Sequence, residues 1–113
     1  MRKLLLFGLI SFGLLGCDAK KGTFLETVES ENNHSDSVAK LEKLILDQGL
    51  THFSTMDHRA NARKVNMNLK PETVVVFGNP KMGTVLMNCN PSMGLDLPLR
   101  MLVTTNYEGK TSI

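Results

Sequence analysis

The 113-residue sequence contains no tryptophan, one tyrosine and only two cysteines. So few cysteines exclude the disulfide framework that holds many small exported domains together. The sequence also lacks internal repeats and low-complexity tracts, which excludes a repeat architecture. No apolar run approaches the roughly 20 residues of a membrane-spanning helix. What remains is enough chain for a single domain with one modest core.

An excess of one charge is also missing from the body of the chain. The sequence has 13 lysines and arginines against 11 acidic residues, but Arg2 and Lys3 lie in the N-terminal segment described next. The remaining charges balance. Arg59, Arg63 and Lys64 form the only local basic group, and their spacing is typical of a solvated helix face. We therefore expect no nucleic-acid partner, which would need a basic surface.

The first residues have the pattern of a bacterial export signal. A positive head precedes an apolar run over residues 4–15, and Leu14-Leu15-Gly16-Cys17 resembles the lipobox of bacterial lipoproteins. We expect residues 1–16 to be removed as a signal peptide, Cys17 to be lipidated, and residues 17–22 to be a tether. Asp18 resembles an inner-membrane retention signal, which predicts a periplasmic domain anchored in that membrane by its acyl chains. The alternative is a plain secretory signal with an incidental cysteine.

Lipidation of Cys17 would leave Cys89 as the sole thiol, unable to form an intramolecular disulfide. It is then either buried and inert, or exposed and able to bridge two copies.

The domain after the tether, residues 23–113, has the pattern of alternating strands and helices. We expect a strand over 23–30, a loop at 32–34, and a helix from Ser35 or Asp36 to Gly49. A strand over 50–56 and a short helix over 58–65, capped by Asp57, should follow. Residues 73–77 form a β-branched run without polar alternation, which predicts a central strand buried on both faces.

The C-terminal third continues the pattern. Asn79 and Pro80 predict a helix start, the helix continues over 84–90, and Pro91 ends it. Strands are expected over 99–105 and from Lys110, joined by a hairpin turn at 106–109. The face shared by Val38, Leu41, Leu44, Ile45 and Gln48 should pack the first helix on the sheet. The order predicts an α+β domain with helices packed on a mostly antiparallel sheet.

Three blocks, in this order, resemble domain-of-unknown-function family 302: Asp57-His58-x-x-Asn61-Ala62, VVVFGNPKxGTxLM at residues 74–87, and GLDLPL at residues 94–99. The resemblance extends over residues 36–113. It implies a TATA-binding-protein-like α+β fold and a homodimer, and it supplies no reaction. Members of that family usually continue through the last strand into a closing helix, whereas this sequence ends at Ile113.

Candidate site residues fall in three places. Asp57, His58 and Asn61 form a polar cluster at a strand-to-helix junction, where Asp57 either caps the helix or orients an imidazole for binding or acid–base chemistry. Asn79 and Lys81 flank a helix start that can hold a small anion, although this loop lacks the lysine of a nucleotide phosphate loop. Asp96 either caps a turn or completes a pocket with Asn79 and His58.

A copper or haem site is a further hypothesis, because the sequence holds several soft or borderline ligands. They are His52, Met56, His58, Met87, Cys89 and Met93. No Met-x-x-Met or Cys-x-x-Cys spacing supports it, so we assign no metal ligand, no cofactor and no catalytic residue. The main prediction is a non-enzymatic, membrane-tethered binding or interaction module whose partner is a small ligand or an envelope protein. The alternative is a small enzyme using His58 with Asp57 or Asp96.

Overall fold

A computed structural model describes residues 25–113. The expected signal peptide, Cys17 and the tether lie outside these residues. The elements run in the order β1 Glu29–Ser30, α1 His34–Asp47, β2 Thr51–Asp57, α2 His58–Lys64, β3 Glu72–Gly78, α3 Pro80–Cys89, a 3-10 turn Pro91–Leu95, β4 Leu99–Thr105 and β5 Thr111–Ser112. The five strands form one antiparallel sheet in the order β1-β5-β4-β3-β2. The predicted α+β class is confirmed.

Helix α1 begins at His34, one or two residues earlier than predicted. Its N-cap is Asn33, whose side-chain oxygen accepts a hydrogen bond from the backbone N–H of Asp36 at 2.9 Å. An asparagine in extended backbone is a favoured N-cap, and here it takes precedence over Ser35. The helix ends before Gly49, whose φ of 70° lies in the left-handed region that glycine adopts without strain.

The buried face of α1 differs from the predicted one at three positions. Leu41 and Ile45 are buried as expected, whereas Leu44 is 57% exposed and Gln48 is exposed. Ser37 is buried in their place. Its hydroxyl donates to the carbonyl of Asn33 at 2.8 Å, so the polar group is satisfied without water.

Strand β3 is an interior strand of the sheet, and it lies between β2 and β4. Thr73, Val75 and Phe77 on one face are buried, whereas Val74 and Val76 on the other face are only half-buried. The prediction of burial on both faces was therefore correct for the first face alone. That face meets α1 to form the core, which consists of Leu41, Ile45, Val75, Phe77 and Val103.

The two edge strands of the sheet, β1 and β2, differ from prediction in different ways. Among the described residues 25–30 of the predicted strand, β1 covers Glu29–Ser30, and Val28 also exchanges backbone hydrogen bonds with Ile113 at 2.8 and 2.9 Å. β2 covers Thr51–Asp57, close to prediction, but its pairing with β3 shifts between His52 and Ser54. Phe53 is therefore the extra residue of a β-bulge, which turns its side chain away from regular alternation.

Helix α3 begins where the sequence predicted. Pro80 is its first residue, and the side chain of Asn79 accepts a hydrogen bond from the backbone N–H of Met82 at 3.1 Å. The helix ends at Cys89 and packs against the 3-10 turn that follows it. Every residue of α3 except Gly83 is exposed, including Cys89. Of the two states considered for Cys89, the structure shows the exposed one and not the buried one.

Candidate functional site

Asp57 holds the backbone at the start of α2. Its Oδ1 atom accepts a hydrogen bond from the backbone N–H of Ala60 at 2.8 Å, which is the geometry of an N-cap. Asn61 is exposed, and its side-chain oxygen accepts from Lys64 Nζ at 3.3 Å. Within residues 25–113, no hydrogen bond joins Asp57 to the half-buried His58. In the predicted polar cluster, Asp57 thus makes a local backbone contact and Asn61 a surface contact.

His58 and Asn79 lie at opposite ends of β3. His58 follows β2, which is antiparallel to β3 and therefore ends beside the first residues of β3; Asn79 follows the last residue of β3. Seven strand residues at about 3.3 Å each separate the two ends by roughly 20 Å. Asp96 is exposed at the end of the 3-10 turn. These three residues therefore do not form one pocket, and of the two roles weighed for Asp96 the structure places it at a turn end.

An apolar groove of about 430 Å³ lies beside α3. We call it the α3 groove. Its walls are α3, the bulged start of β2 and the segment that leads into β4. It is lined by Leu50, Phe53, Gly78, Asn79, Pro80, Met82, Gly83, Thr84, Leu86, Met87, Leu97, Pro98 and Leu99.

The only polar side chains in this lining are Asn79 and Thr84, and both contact the backbone of α3. The Asn79 oxygen accepts from Met82 N–H, and the Thr84 hydroxyl donates to the carbonyl of Pro80 at 2.7 Å. The Asn79 amide nitrogen is the remaining side-chain donor in the lining. No lining residue is titratable. The groove is therefore suited to an apolar ligand with at most one acceptor near Asn79.

Two glycines keep the groove open. A Cβ atom on Gly78 would lie 3.6 Å from both Phe53 and Pro98, and one on Gly83 would lie 3.6 Å from Leu97 Cδ1. These are ordinary van der Waals distances, so a methyl group fits at either position, whereas a longer side chain would enter the groove. Lys81 lies on α3 outside the lining and is exposed.

A polar network around His34 was not predicted. The sequence pattern placed His34 in a loop, and no signal connected it to the sheet. His34 Nε2 lies 2.9 Å from the Thr73 hydroxyl and Nδ1 lies 3.4 Å from that of Thr105, which in turn lies 3.1 Å from the Thr111 hydroxyl. Burial lowers the pKa of His34 below 6.5. The nearby Asp57 carboxylate raises this pKa and the Arg59 guanidinium lowers it, and burial dominates.

A second histidine forms part of a tie between α1 and β2. The Thr55 hydroxyl donates to the Glu42 carboxylate, and His52 Nε2 lies 2.8 Å from the same hydroxyl. Because the single hydroxyl proton goes to Glu42, the imidazole nitrogen must donate and cannot act as a base toward Thr55. The arrangement therefore stabilises the packing and does not activate a nucleophile.

Within residues 25–113, no three His, Cys, Asp or Glu side chains are grouped closely enough to hold a metal ion. The soft sulfur ligands are also apart. Met56 lies opposite Val74 near the start of β3, whereas Met87 lies in the α3 groove beyond its other end.

The antiparallel sheet with helices and an apolar groove at one end defines a small, single-sheet α+β domain. Residues 26–113 match the family described as "Domain of unknown function DUF302". The chain belongs to this family, which confirms the resemblance inferred from its sequence blocks.

Several known proteins are similar to this chain. "Fluoride-specific ion channel FluC 1" of Brucella suis biovar 1 is 36% identical over 86 residues, which are 76% of this chain and 34% of that protein. "Fluoride-specific ion channel FluC 2" of Brucella melitensis biotype 1 is also 36% identical over 86 residues, which are 76% of this chain and 32% of that protein. The chain thus spans about a third of the length of the curated relatives it matches.

A solved structure shows the same fold. It is the crystal structure of an uncharacterized conserved protein DUF302 from Bacillus stearothermophilus, with a TM-score of 0.74 and 18% identity. The similarity covers 80% of this chain and 71% of that one. In the part of the chain that the structure describes, no helix is both long enough and apolar enough to cross a membrane.

Proposed function

We propose that this protein is a non-enzymatic binding module that holds the alkyl chain of a fatty-acid-like ligand in the α3 groove. The observation that carries the proposal is the lining of the groove, which is mostly apolar and contains no titratable side chain. Its volume of about 430 Å³ falls within the roughly 300–1,000 Å³ of small-molecule sites. Burying alkyl carbons contributes about 0.8 kcal/mol per methylene, so a medium-length chain suffices for measurable affinity.

The polar end of such a ligand has a suitable place at the start of α3. Asn79 lies at the N-terminus of this ten-residue helix, and the exposed Lys81 follows two residues later. A helix N-terminus favours a negative charge, and the Asn79 amide nitrogen supplies a donor. We therefore place the carboxylate of the ligand near Asn79 and its alkyl chain against Met82, Leu86 and Met87.

A fluorescent fatty acid tests this proposal. Dansyl-labelled undecanoic acid should bind the wild-type protein saturably, with enhanced dansyl emission. Gly83→Leu should weaken binding at least tenfold, because the added side chain enters the groove. Asn88→Leu is the matched control: it adds the same side chain to the same helix outside the lining, so binding should stay within about twofold. Equal binding by both variants would contradict the groove assignment.

Catalysis and metal handling are less well supported. Asp57 caps α2 and Asp96 is the C-cap of the 3-10 turn, so in residues 25–113 neither carboxylate is hydrogen-bonded to His58. The channel activity named for the Brucella relatives does not enter the proposal, because the match covers only about a third of those proteins.

We further propose that a lipid on Cys17 tethers this module to the periplasmic side of the bacterial inner membrane. The support is the order of positive head, short apolar run and Leu-Leu-Gly-Cys in the sequence, followed by Asp18. Cells supplied with labelled palmitate should label the wild-type protein but not Cys17→Ser, and the unlabelled variant should leave the membrane fraction or remain unprocessed. An unlabelled wild-type protein would contradict the tether.

We also propose that two copies associate through the outer face of the sheet, the face opposite α1. Val74 and Val76 are half-buried there, and Met56 and Leu102, the two cross-strand neighbours of Val74, are each 43% exposed. Pairing two such faces would remove this apolar surface from water. Light scattering should give a dimer for the wild type and a monomer for Leu102→Lys. Leu95→Lys, at an exposed residue of the 3-10 turn, is the control and should leave the dimer intact.

A further inference from the structure

A second cavity, of about 480 Å³, lies at the other end of β3 from the α3 groove. We call it the basic pocket. Helix α2, the loop before β3 and the β4–β5 turn form its walls. It is lined by Arg59, Arg63, Asn68, Leu69, Lys70, Pro71 and Tyr107.

Two segments carry the cations of the basic pocket, and a third segment contributes an aromatic ring. Arg59 and Arg63 are four residues apart on α2 and therefore share one face of that helix. Lys70 comes from the loop, and its Nζ atom lies 4.0 Å from the centroid of the Tyr107 ring. This cation–π contact holds the ammonium group against the wall that the β4–β5 turn contributes.

These cations have no carboxylate partner in the described part of the chain. The ion pairs within residues 25–113 are Lys43–Asp47, His52–Glu42 and Lys110–Glu29. Asp57, Glu72 and Glu108, the acidic residues within two positions of the pocket lining in sequence, form no ion pair with Arg59, Arg63 or Lys70 in these residues. Converging like charges repel one another, and a bound anion relieves that repulsion. Although the charges of the chain nearly balance, the basic pocket thus concentrates positive charge that is not paired with a carboxylate.

We propose that the basic pocket binds a phosphate group. Two guanidinium forks and an ammonium group match the geometry and charge of phosphate oxygens better than they match a single carboxylate, and the amide of Asn68 adds a donor. The exposed ring of Tyr107 offers a flat surface to an organic group attached to the phosphate. A soluble phosphate compound and the headgroup of an anionic phospholipid share this chemistry.

Nuclear magnetic resonance titration tests the pocket with inorganic phosphate at constant ionic strength, using protein with Cys17→Ser so that no lipid anchor contributes. The amide signals of Asn68 and Tyr107 should shift saturably. The double variant Arg59→Gln and Arg63→Gln should lose at least tenfold in affinity. Lys40→Gln and Lys43→Gln together remove the same charge from exposed positions of α1, outside the pocket lining, and should stay within twofold. Retained signal dispersion in both double variants shows that the fold is intact.

A vesicle arm distinguishes the two sources of phosphate. Sedimentation with phosphatidylglycerol vesicles, compared with phosphatidylcholine vesicles, should depend on Arg59 and Arg63 if the headgroup is the ligand. Saturable binding of inorganic phosphate without vesicle binding identifies a soluble ligand, and either result supports the pocket. The proposal is overturned if the phosphate shifts do not saturate and vesicle binding is unchanged in the Arg59 and Arg63 variant. It is equally overturned if the two double variants lose affinity to the same extent.

Discussion

His34 Nε2 lies 2.9 Å from the hydroxyl of Thr73, and this contact joins the first turn of α1 to strand β3. The imidazole also reaches Thr105 on the next strand, so one side chain connects three elements. Because Thr73 is buried and His34 half-buried, the network needs its hydrogen bonds satisfied within the protein. The stability of the fold should therefore depend on the charge of this imidazole.

Acid should destabilise the protein through His34. Burial lowers the pKa of His34 in the folded state below its unfolded value of 6.5, so the unfolded state binds the proton more readily. The contribution is complete above pH 6.5 and is lost as the pH falls from there toward the folded pKa. Urea unfolding between pH 7.5 and pH 5 stays above the range in which carboxyl groups ordinarily titrate. His34→Gln should show a smaller loss of stability over this interval, and equal losses in both proteins would contradict the prediction.

Replacing Asp57 should distinguish capping from a functional carboxylate. Asp57→Asn keeps a good N-cap and should change the free energy of unfolding little, whereas Asp57→Ala should lower it by about 1 kcal/mol. Urea unfolding at pH 7.5 measures both. The same Asp57→Asn protein should show a lower pKa of His34 by nuclear magnetic resonance, because the carboxylate raises that pKa. A large loss of stability in Asp57→Asn would show that its charge, and not its capping oxygen, matters.

Several elements of the fold could be predicted from local sequence patterns. Strand β4 and the start of α3 coincide with prediction, because the β-favouring run and the Asn79-Pro80 pair need no distant partner. The buried side of α1 did not coincide with prediction, because the hydrogen bond between Ser37 and Ser30 depends on a strand outside the helix. The α3 groove was missed for the same reason. Leu50 and Phe53 are far from Leu97 in the sequence, and only the fold and the bulge at Phe53 bring them together.

For the basic pocket, the spacing of residues in the sequence predicted one wall and not the others. Arg59 and Arg63 do lie on one helix face, as their spacing predicted. What the sequence could not indicate is that Lys70 and Tyr107 fold opposite that face. Long-range contacts of this kind leave no periodicity in the chain. By contrast, the capping role of Asp57 was predictable because an N-cap is decided within four residues.

Two glycine substitutions should have opposite effects on stability. Gly83→Ala should raise the free energy of unfolding by about 0.5–1 kcal/mol, because alanine is favoured over glycine inside a helix and the added methyl meets only ordinary contacts. Gly49→Ala should lower it by about 1 kcal/mol, because the φ of 70° at this position strains any residue with a Cβ atom. Thermal and urea unfolding measure both effects. Destabilisation by Gly83→Ala would mean that α3 packs more tightly than its contacts indicate.

The proposed ligand site in the α3 groove is tested most directly with methionine methyl groups as reporters. Met82 and Met87 line the groove, whereas Met56 and Met101 lie on the sheet outside it. In protein labelled with ¹³C at the methionine methyls, decanoic acid below its micelle concentration should shift the Met82 and Met87 signals saturably and leave those of Met56 and Met101 in place. Unchanged Met82 and Met87 signals, or equal shifts at all four methyls, would contradict the account.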